Sequence, residues 1–336
     1  MKGDGEIRLE HGSGGALSRE LVEEVIYRRF RGPAYRELGD AAPLAASAET
    51  VFTTDTYVVD PLFFPGGDIG RLAVFGTCND LSVSGGLPRW LSLALVLEEG
   101  VRIDTLERVV DSVAAACAEA GVQVVTGDTK VVPSGKGGGI YVNTAGVGER
   151  VFRRALSPER VEPGDALIVS GPVGSHGIAV LAAREGLSVG SGVRSDCAFL
   201  HPLCAELFEL GEELRFLRDA TRGGAAAILN ELCTGGSFGV RVREAAFPVR
   251  EEVATASDLL GLNPLEIANE GVLVAVAAAE AAERALGALR KQPLGREAAV
   301  VGEVTEAHPG RVIMETRIGG RRLLDFPRGL LLPRIC

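Results

Sequence analysis

The chain has 336 residues, of which 46% are hydrophobic and 24% charged, and 45 acidic against 35 basic residues give a net charge of −10. This composition is typical of a folded globular protein and excludes a disordered or collagen-like chain. The acidic balance argues against nucleic-acid binding and against attraction to anionic lipid, while the length fits two domains.

The first half of the chain alternates predicted strands and helices. Residues 1–39 combine a glycine-rich opening with an amphipathic helix over Ser18–Phe30, and we expect this segment to be mobile. Residues 40–153 form a predicted first domain. Its predicted elements are a strand in VFTTDTYVV, a helix in LAVFGTCNDLSVSG, a strand in RWLSLALVLEEG, a helix over Ile103–Ala120, a strand in VQVVTGDTKVV, a glycine loop at Ser134–Gly139 and a strand in YVNTAGVGER.

The second half, residues 154–325, repeats this α/β pattern and is followed by a predicted mobile tail at 326–336. We place the boundary between the halves at about 150–160. The predicted elements are a strand, glycine turn and helix in VEPGDALIVSGPVGSHGIAVL, helices around Leu203–Gly211 and Gly223–Cys233, a strand in FGVRVR, a helix start at Pro248, a strand in GVLVAVA, a helix over Glu280–Lys291, a strand in AVVGEV and a final hairpin around Gly319. The order predicts a mixed α/β fold.

The cysteines indicate a reducing compartment. Six are spread through the chain without a C-x-x-C pair, too sparsely for a disulfide scaffold. The N-terminus lacks the apolar core of a signal peptide, and no apolar run approaches the roughly 20 residues that span a bilayer. We therefore expect a cytoplasmic protein with reduced thiols and no contact with a membrane.

Three residues of the second half have the spacing of a zinc site. Cys197, His201 and Cys204 fall on one face of a helix if this segment is helical, and thiolate with imidazole is zinc chemistry. Pro202 interrupts the register and no fourth ligand is evident. The alternative is that these side chains pack in the core.

Four aspartates recur at predicted strand ends: Asp40, Asp55, Asp80 and Asp128. Mg²⁺ binds hard oxygen ligands while a bound phosphate completes its octahedron, so carboxylates on separate elements predict a nucleoside triphosphate site. The alternative for each aspartate is a cap or a turn residue.

Two glycine-rich segments, Gly12–Gly15 and Ser134–Gly139, can wrap phosphates with backbone N–H groups. Neither fits the P-loop spacing, because Lys130 and Gly137 stand where that motif needs glycine and a hydroxyl residue. No dinucleotide-binding glycine motif opens a helix either.

Three further short motifs place polar side chains at turns. Asp219 and Arg222 precede a predicted helix start, where N–H groups favour an anion, and Glu270 precedes the strand GVLVAVA. His176 lies in a glycine-lined turn, GSHG. The alternatives are a helix cap with a solvated arginine and a structural histidine.

Taken in chain order, these motifs resemble the HypE family of hydrogenase maturation factors, within the aminoimidazole ribonucleotide synthetase-like superfamily of ATP-using enzymes. The segments that carry the resemblance are TTDTYVVDPLFFPGGDIGRLAVFGTCNDLSVSGGLPRWLSLALVLEEG, TGDTKVV, GPVGSHGIAVL, RDATRGG, NEG and the ending LPRIC. The resemblance runs from Gly12 to Cys336, and the final Pro-Arg-Ile-Cys separates this family from its relatives.

The resemblance implies a two-domain α/β protein that dimerises through its N-terminal domains, whose sheets meet as a β-barrel, with ATP and Mg²⁺ near the interface. It also implies a reaction on the thiol of Cys336. The carbamoyltransferase HypF loads a carbamoyl group onto this sulfur, ATP activates the amide oxygen, and loss of that oxygen leaves a thiocyanate. The cyanide then passes to iron held by a HypC–HypD complex, for the [NiFe] hydrogenase.

The resemblance also assigns roles to individual residues. The acidic positions for metal and phosphate are Asp40, Asp55, Asp80 and Asp128, with Thr54 and Asn79 beside them. Lys130 would neutralise charge on the transferred phosphoryl group, and Glu270 would accept a proton. Asp219 and Arg222 would shape the pocket, and His176 would take part in catalysis.

Two other functions share part of this pattern. One is another ATP-dependent kinase or synthetase of the same superfamily, which would need the aspartates but no terminal cysteine. The other is a non-catalytic carrier whose tail docks on a partner while ATP is structural. Consumption of ATP that depends on a carbamoylated tail separates the enzyme from the carrier.

Overall fold

The structure is a computed structural model that describes residues 15–16, 19, 42–44, 49–133, 135, 137–188 and 192–327. Three predicted features lie outside the described residues: the helix at Ser18–Phe30 apart from Arg19, the candidate ligand Asp40, and the tail with Cys336 apart from residues 326 and 327.

The first half builds a five-stranded sheet in the order β1-β2-β7-β5-β6, in which only the β5–β6 pair is parallel. Its elements are β1 (Ala42–Leu44), β2 (Thr50–Tyr57), the short hairpin β3 (Phe63–Phe64) and β4 (Gly67–Asp68), helix α1 (Ile69–Val83), β5 (Gly86–Glu98), helix α2 (Ile103–Ala120), β6 (Gln123–Val132) and β7 (Ile140–Arg150).

The second half builds a seven-stranded sheet in the order β14-β13-β10-β12-β8-β11-β9, in which β10 and β13 are parallel. Its strands are β8 (Ala166–Val169), β9 (Leu214–Asp219), β10 (Gly239–Arg243), β11 (Leu273–Ala277), β12 (Ala299–Thr305), β13 (Val312–Glu315) and β14 (Arg321–Leu323). Its α-helices are α3 (Ser175–Glu185), α4 (His201–Phe208), α5 (Gly224–Cys233), α6 (Glu251–Leu260) and α7 (Ala282–Arg290).

The two sheets are covered differently. Helices pack on both faces of the seven-stranded sheet, so every residue of the apolar strand β11 is buried. Among the described residues, the five-stranded sheet carries helices α1 and α2 on one face, and its strand β7 alternates buried and half-buried residues. Helix α1 is buried almost all round, because it lies between its own sheet and the second half.

Most predicted elements are confirmed, and two interpretations of the sequence were wrong. The predicted α2 has the observed bounds, and the glycine turn in GPVGSHG does connect β8 to a helix. Strand β9 was missed because its LRFLRD sequence places two arginines among apolar residues. Asp80 lies within helix α1 rather than at a strand end.

Each sheet of this single chain is open, so the expected barrel is not formed by the described residues of one chain. Among the same residues, no helix combines the length and the apolar character that a bilayer span requires.

A substitution at Gly302 tests the close packing between strands β12 and β10 of the second sheet. A Cβ at this position of β12 would overlap the carbonyl oxygen of Arg241 on the neighbouring strand β10. We expect Gly302→Ala to lower the free energy of unfolding by about 3 kcal/mol, measured by urea titration. The control is Gly287→Ala in α7, where a Cβ meets open space, and where we expect a gain of about 1 kcal/mol. Equal effects of the two substitutions would contradict this packing.

Candidate active site between the two halves

One face of β2 carries the first group of site residues. Because side chains alternate along a strand, Thr53, Asp55 and Tyr57 share the face that is turned to α1. The hydroxyl of Thr53 donates to Oδ2 of Asp80 on α1 over 3.1 Å. Strand β2 and helix α1 therefore bring Asp55 and Asp80 to the same side of the first half.

Asn79, next to Asp80 on α1, joins the two halves. Its Nδ2 donates to the carbonyl oxygen of Ala198 over 3.0 Å, and its Oδ1 accepts from the backbone N–H of Leu200 over 2.8 Å. Asn79 is 1% exposed, so both hydrogen bonds are sheltered from water. They hold the segment before α4 against the acidic end of α1.

The second half contributes residues from two adjacent turns. Asp219 ends β9 and is paired with Leu273 of β11, while Arg222 lies in the turn before α5. Glu270 lies just before β11, and its neighbour Asn269 donates through both its backbone and its side chain to the carbonyl of Ala220. The strand register and this asparagine hold the two turns side by side.

The charges of these residues interact across the boundary between the halves. Burial, followed by the carboxyl groups of Asp219, Asp196 and Asp55, raises the pKa of Glu270 well above its ordinary value, and Arg222 opposes the shift. Burial also raises the pKa of Asp55, again opposed by Arg222. Asp55 and Asp80 of the first half thus form one acidic cluster with Asp219 and Glu270 of the second. The guanidinium group of Arg222 opposes the charge of this cluster at Glu270 and Asp55.

Tyr57 belongs to the same cluster. Burial, followed by Asp55 and Asp80, raises the pKa of its phenol well above the ordinary value, and Glu270 acts in the same direction. Its hydroxyl lies 3.2 Å from that of Thr77 on α1. Sequence reasoning missed Thr53 and Tyr57, although their spacing of two from Asp55 was a signal for a shared face.

Thr54, predicted beside the phosphates, lies on the opposite face of β2 from Asp55. It is exposed, and its hydroxyl donates to the carbonyl of Thr144 on β7 over 3.0 Å. The alternation of the strand is the physical reason for this separation.

Asp128 and Lys130 lie on β6, at the edge of the first sheet. The row of paired residues that starts at Asp55 crosses β7 and β5 and reaches Gly127, so two strands separate Asp55 from the neighbour of Asp128. At about 4.8 Å per strand, the two backbones are roughly 14 Å apart. Within one chain, the backbones of Asp128 and Asp55 are therefore not adjacent.

The glycine loop after β6 does not present open backbone N–H groups to a phosphate. The carboxylate of Glu98, at the end of β5, accepts from the N–H of Gly135 and, over 2.9 Å, from that of Gly139. A phosphate would have to displace Glu98 to reach these two amides, and that the loop wraps phosphates stays a prediction.

His176 lies in the first turn of α3, not in a free turn, and is 0% exposed. Its Nδ1 is 2.8 Å from the hydroxyl of Ser195, its ring meets Phe64 edge-on, and its Nε2 is buried without a hydrogen-bond partner among the described residues. Burial lowers the pKa of His176 to about 3, so the ring is neutral at physiological pH.

Cys197, His201 and Cys204 do not form a metal site. The helix α4 begins only at His201, with Pro202 in its first turn, and the ring of His201 stacks on Phe199. Burial raises the pKa of both thiols, which keeps them protonated. Throughout the described residues, no three His, Cys, Asp or Glu side chains are arranged to hold a metal ion.

The acidic cluster nevertheless fits a cation by its charge. The carboxyl groups of Asp219, Asp196 and Asp55 add to burial in raising the pKa of Glu270, and Arg222 opposes the shift there as it does at Asp55. An added positive charge would relieve this repulsion. Mg²⁺ commonly takes only one or two carboxylates and completes its shell with phosphates and water, which suits a cluster without a closed protein cage.

Comparison with known proteins agrees with this geometry. The model of the AIR synthase related protein N-terminal domain matches residues 38–150, and that of the C-terminal domain matches residues 162–315. The chain is 45% identical over 335 residues to carbamoyl dehydratase HypE of Rhizobium leguminosarum bv. viciae, covering 99% of this chain and 96% of the relative. The chain belongs to the HypE family.

Two solved structures of this family have the same fold. The hydrogenase maturation protein HypE in complex with ATP is 46% identical, with a TM-score of 0.82 over 98% of this chain and 100% of that one. The chain matched in a HypE–HypF complex is 41% identical, with a TM-score of 0.86 over 91% of this chain and 99% of that one. These two HypE structures thus share the mixed α/β architecture of this chain.

The buried His176 predicts a pH dependence of stability. Its pKa is about 3 in the folded chain and near 6.5 when unfolded, so protons bind preferentially to the unfolded state. Stability from this group is full above pH 6.5 and is lost as the pH falls from there toward 3. We expect His176→Gln to remove about 2 kcal/mol of the wild-type loss between pH 7 and pH 5, measured by urea titration.

The control for this experiment is His308→Asn. His308 is exposed and has a φ of 55°, which asparagine tolerates. We expect this variant to keep the wild-type loss of stability. An unchanged acid sensitivity in His176→Gln would show that the buried ring does not cause it.

Proposed function

We propose that this chain is an ATP-dependent carbamoyl dehydratase that converts a carbamoyl group on the thiol of Cys336 into a thiocyanate. The observation that carries the proposal is the meeting of Asp55 and Asp80 of the first half with Asp219, Arg222 and Glu270 of the second. The relatives named carbamoyl dehydratase HypE, one at 45% identity over nearly the whole chain, support the same reaction. An amide oxygen is a poor leaving group. Transfer of the γ-phosphoryl group of ATP to this oxygen turns it into a phosphate, which leaves when the C–O bond breaks.

The reaction balances without a redox partner. The carbamoyl oxygen forms a bond to the γ-phosphorus of ATP, and the bond to ADP breaks. The C–O bond then breaks, phosphate leaves, and both nitrogen protons are lost, so the products are thiocyanate, ADP and phosphate. The chain must therefore orient an amide, neutralise phosphate charge and accept protons.

Glu270 is the proposed proton acceptor. It is 5% exposed, and burial with neighbouring carboxyl groups raises its pKa above the ordinary value, which makes its carboxylate a stronger base than a solvated one. Arg222 faces this carboxylate and Asp55, and we assign its guanidinium to the phosphates, with Asp219 shaping the pocket. His176, neutral and buried, is assigned a positioning role through Ser195 rather than proton transfer.

Asp55 and Asp80 are the residues of the described chain that would hold Mg²⁺. Bound there beside the nucleotide, the ion would neutralise charge on the phosphate oxygens. Asn79 would fix this end of α1 against the second half. We propose that Asp40, Asp128 and Lys130, the first outside the described residues and the others on the edge strand β6, complete the site in the assembled dimer.

We propose that the chain dimerises through the open face of its first sheet, as the family's barrel implies. Phe52 and Trp90 are about 40% exposed there, at 38% and 42%, and both are paired with Val147 of β7. Contiguous exposed apolar side chains on a folded sheet mark an interaction surface. A second copy packed on this face would close the two sheets into one barrel.

The partners follow from the same assignment. A solved complex of HypE with HypF supports a carbamoyltransferase of that kind as the donor to Cys336, and we propose a HypC–HypD complex as the acceptor of cyanide. We propose that the tail at 326–336 carries the sulfur between the sites. We also propose residues 40–153 and 154–325 as the two domains. The five described cysteines are free thiols, which suits the cytoplasm.

Cys336→Ala is the direct test of the reaction. Purified chain, HypF with its carbamoyl donor, Mg²⁺ and ATP are mixed, and the intact mass is followed. For the wild type we expect a carbamoyl adduct and then the loss of one water mass, with ADP release that depends on the adduct. For Cys336→Ala we expect ATP binding with neither mass change. The control Cys233→Ala removes a buried thiol of α5 and should behave as the wild type.

Two outcomes of this assay would contradict the proposal. Thiocyanate formation by Cys336→Ala would exclude the terminal sulfur as the carrier. An adduct that never loses water in the presence of ATP would favour the non-catalytic carrier over the dehydratase.

Trp90→Glu tests the proposed dimer. A carboxylate in the centre of the apolar face would be desolvated without a partner on association, so we expect a dimeric wild type and a monomeric variant in light scattering after size-exclusion chromatography. The control is Ile318→Glu, because Ile318 is 95% exposed at the β13–β14 hairpin and should not affect assembly. A Trp90→Glu variant that stays dimeric would place the interface elsewhere.

A further inference from the structure

The backbone of Glu270 is held from both sides by one short segment, residues 195–200. Its N–H donates to Oδ1 of Asp196 over 2.8 Å, and its carbonyl accepts from the N–H of Ala198 over 3.2 Å. The next residue, Gly271, has no room for a side chain, because a Cβ there would overlap the carbonyl oxygen of Asp196. The position of Glu270 therefore depends on where this segment lies.

The segment itself is anchored to the first half. The N–H of Ser195 donates to the carbonyl of Pro65 over 2.8 Å, and the adjacent Gly66 lies so close to Ser195 that a Cβ would meet its backbone at 2.6 Å. Asn79 of α1 binds Ala198 and Leu200 at the other end. Residues 195–200 contact both the first half, which carries Asp80, and the backbone of Glu270. The position of Glu270 relative to Asp80 therefore depends on this segment.

Two side chains contact the backbone of Glu270: Asp196 accepts its N–H over 2.8 Å, and Nδ2 of Asn79 lies 3.5 Å from its carbonyl oxygen. The contact with Asp196 is the shorter one. The second oxygen of Asp196, Oδ2, is buried and has no hydrogen-bond partner among the described residues. Arg250, whose side chain is 59% exposed and 3.9 Å from Glu297, is the cation that faces it. Burial raises the pKa of Asp196 to about 7. A buried carboxyl group that is so weakly compensated is costly, and a hydrophobic side chain would cost less if packing were the only role of this residue.

We propose that Asp196 is a positioning residue for Glu270: by accepting the Glu270 N–H it fixes the carboxylate at the place where the amide proton is removed. This inference rests on the proposed function, because it needs Glu270 to be the proton acceptor. A displacement of about 1 Å at such a group costs on the order of 100-fold in rate. The hydrogen bond needs an acceptor oxygen rather than a charge, so asparagine can replace aspartate and alanine cannot.

The experiment uses full-length chain that HypF has carbamoylated on its tail. ATP and Mg²⁺ start the reaction, and the loss of one water mass is followed by quenched intact-mass analysis over a range of ATP concentrations. We expect Asp196→Ala to lower the saturating rate constant about 100-fold while the ATP concentration at half-saturation stays unchanged. We expect Asp196→Asn to recover most of the rate, to within about 10-fold of the wild type. Glu270→Gln, which lacks the proposed proton acceptor, gives the lowest rate constant that we expect in this series.

Asp165→Ala is the matched control. Asp165 is a buried aspartate of the same half, and its Oδ2 likewise accepts a backbone N–H, that of Glu162, over 2.8 Å. We expect its removal to lower the melting temperature while the rate constant of the folded protein stays at the wild-type value.

The outcomes separate this inference from the function on which it rests. A wild type that does not lose water refutes the proposed function. A wild type that reacts, with Asp196→Ala at the same rate, refutes the positioning role. Equal losses in Asp196→Ala and Asp196→Asn also refute it, because the charge and not the accepted hydrogen bond would then matter. A rate loss in Asp165→Ala as large as that in Asp196→Ala would also refute it, because loss of stability would then explain the lower rate of both variants.

Discussion

The site depends on one buried amide, that of Asn79. Its two hydrogen bonds, to Ala198 and Leu200, cross between the halves where water is excluded, and an unpaired buried partner would cost about 1–3 kcal/mol. The adjacent Asp80 faces Thr53, so the residue that joins the halves and a residue that lines the acidic cluster follow one another on α1. The separation between Asp80 and Glu270 is thereby tied to the contact between the two halves.

The acidic cluster is maintained against its own repulsion. Glu270 and Asp219 are each 5% exposed, and nearby carboxyl groups raise the pKa of Glu270 further. A site of this kind contributes little to the stability of the empty protein, because desolvation opposes every charge in it. The large apolar clusters on both faces of the second sheet supply the stability that such a site requires. The residues that hold the acidic groups in place are accordingly polar groups with defined hydrogen bonds, such as Asn269 and Asn79.

Much of the fold and part of the site could be predicted from the sequence. Hydrophobic periodicity located α2 and β11, and the position of Glu270 ahead of a buried strand followed from its glycine and the apolar run after it. Periodicity says nothing about which elements meet, so the pairing of Asp80 with Thr53, and the distance across the sheet between Asp55 and Asp128, needed the topology. Asp196 carried no motif at all. Its contact with the backbone of Glu270, more than seventy residues further along the chain, is visible only in the folded structure.

The contact between Glu98 and the glycine loop has a consequence for anion binding at this loop. A carboxylate tethered in the same chain is present at a high effective concentration, so a nucleotide would have to displace it to reach the N–H groups of Gly135 and Gly139. While Glu98 holds these two N–H groups, the loop is closed by its own chain and offers neither of them to an anion. Any anion that binds this loop must exchange with a carboxylate of the chain, so the net gain in binding free energy is smaller than an open loop of the same length would give.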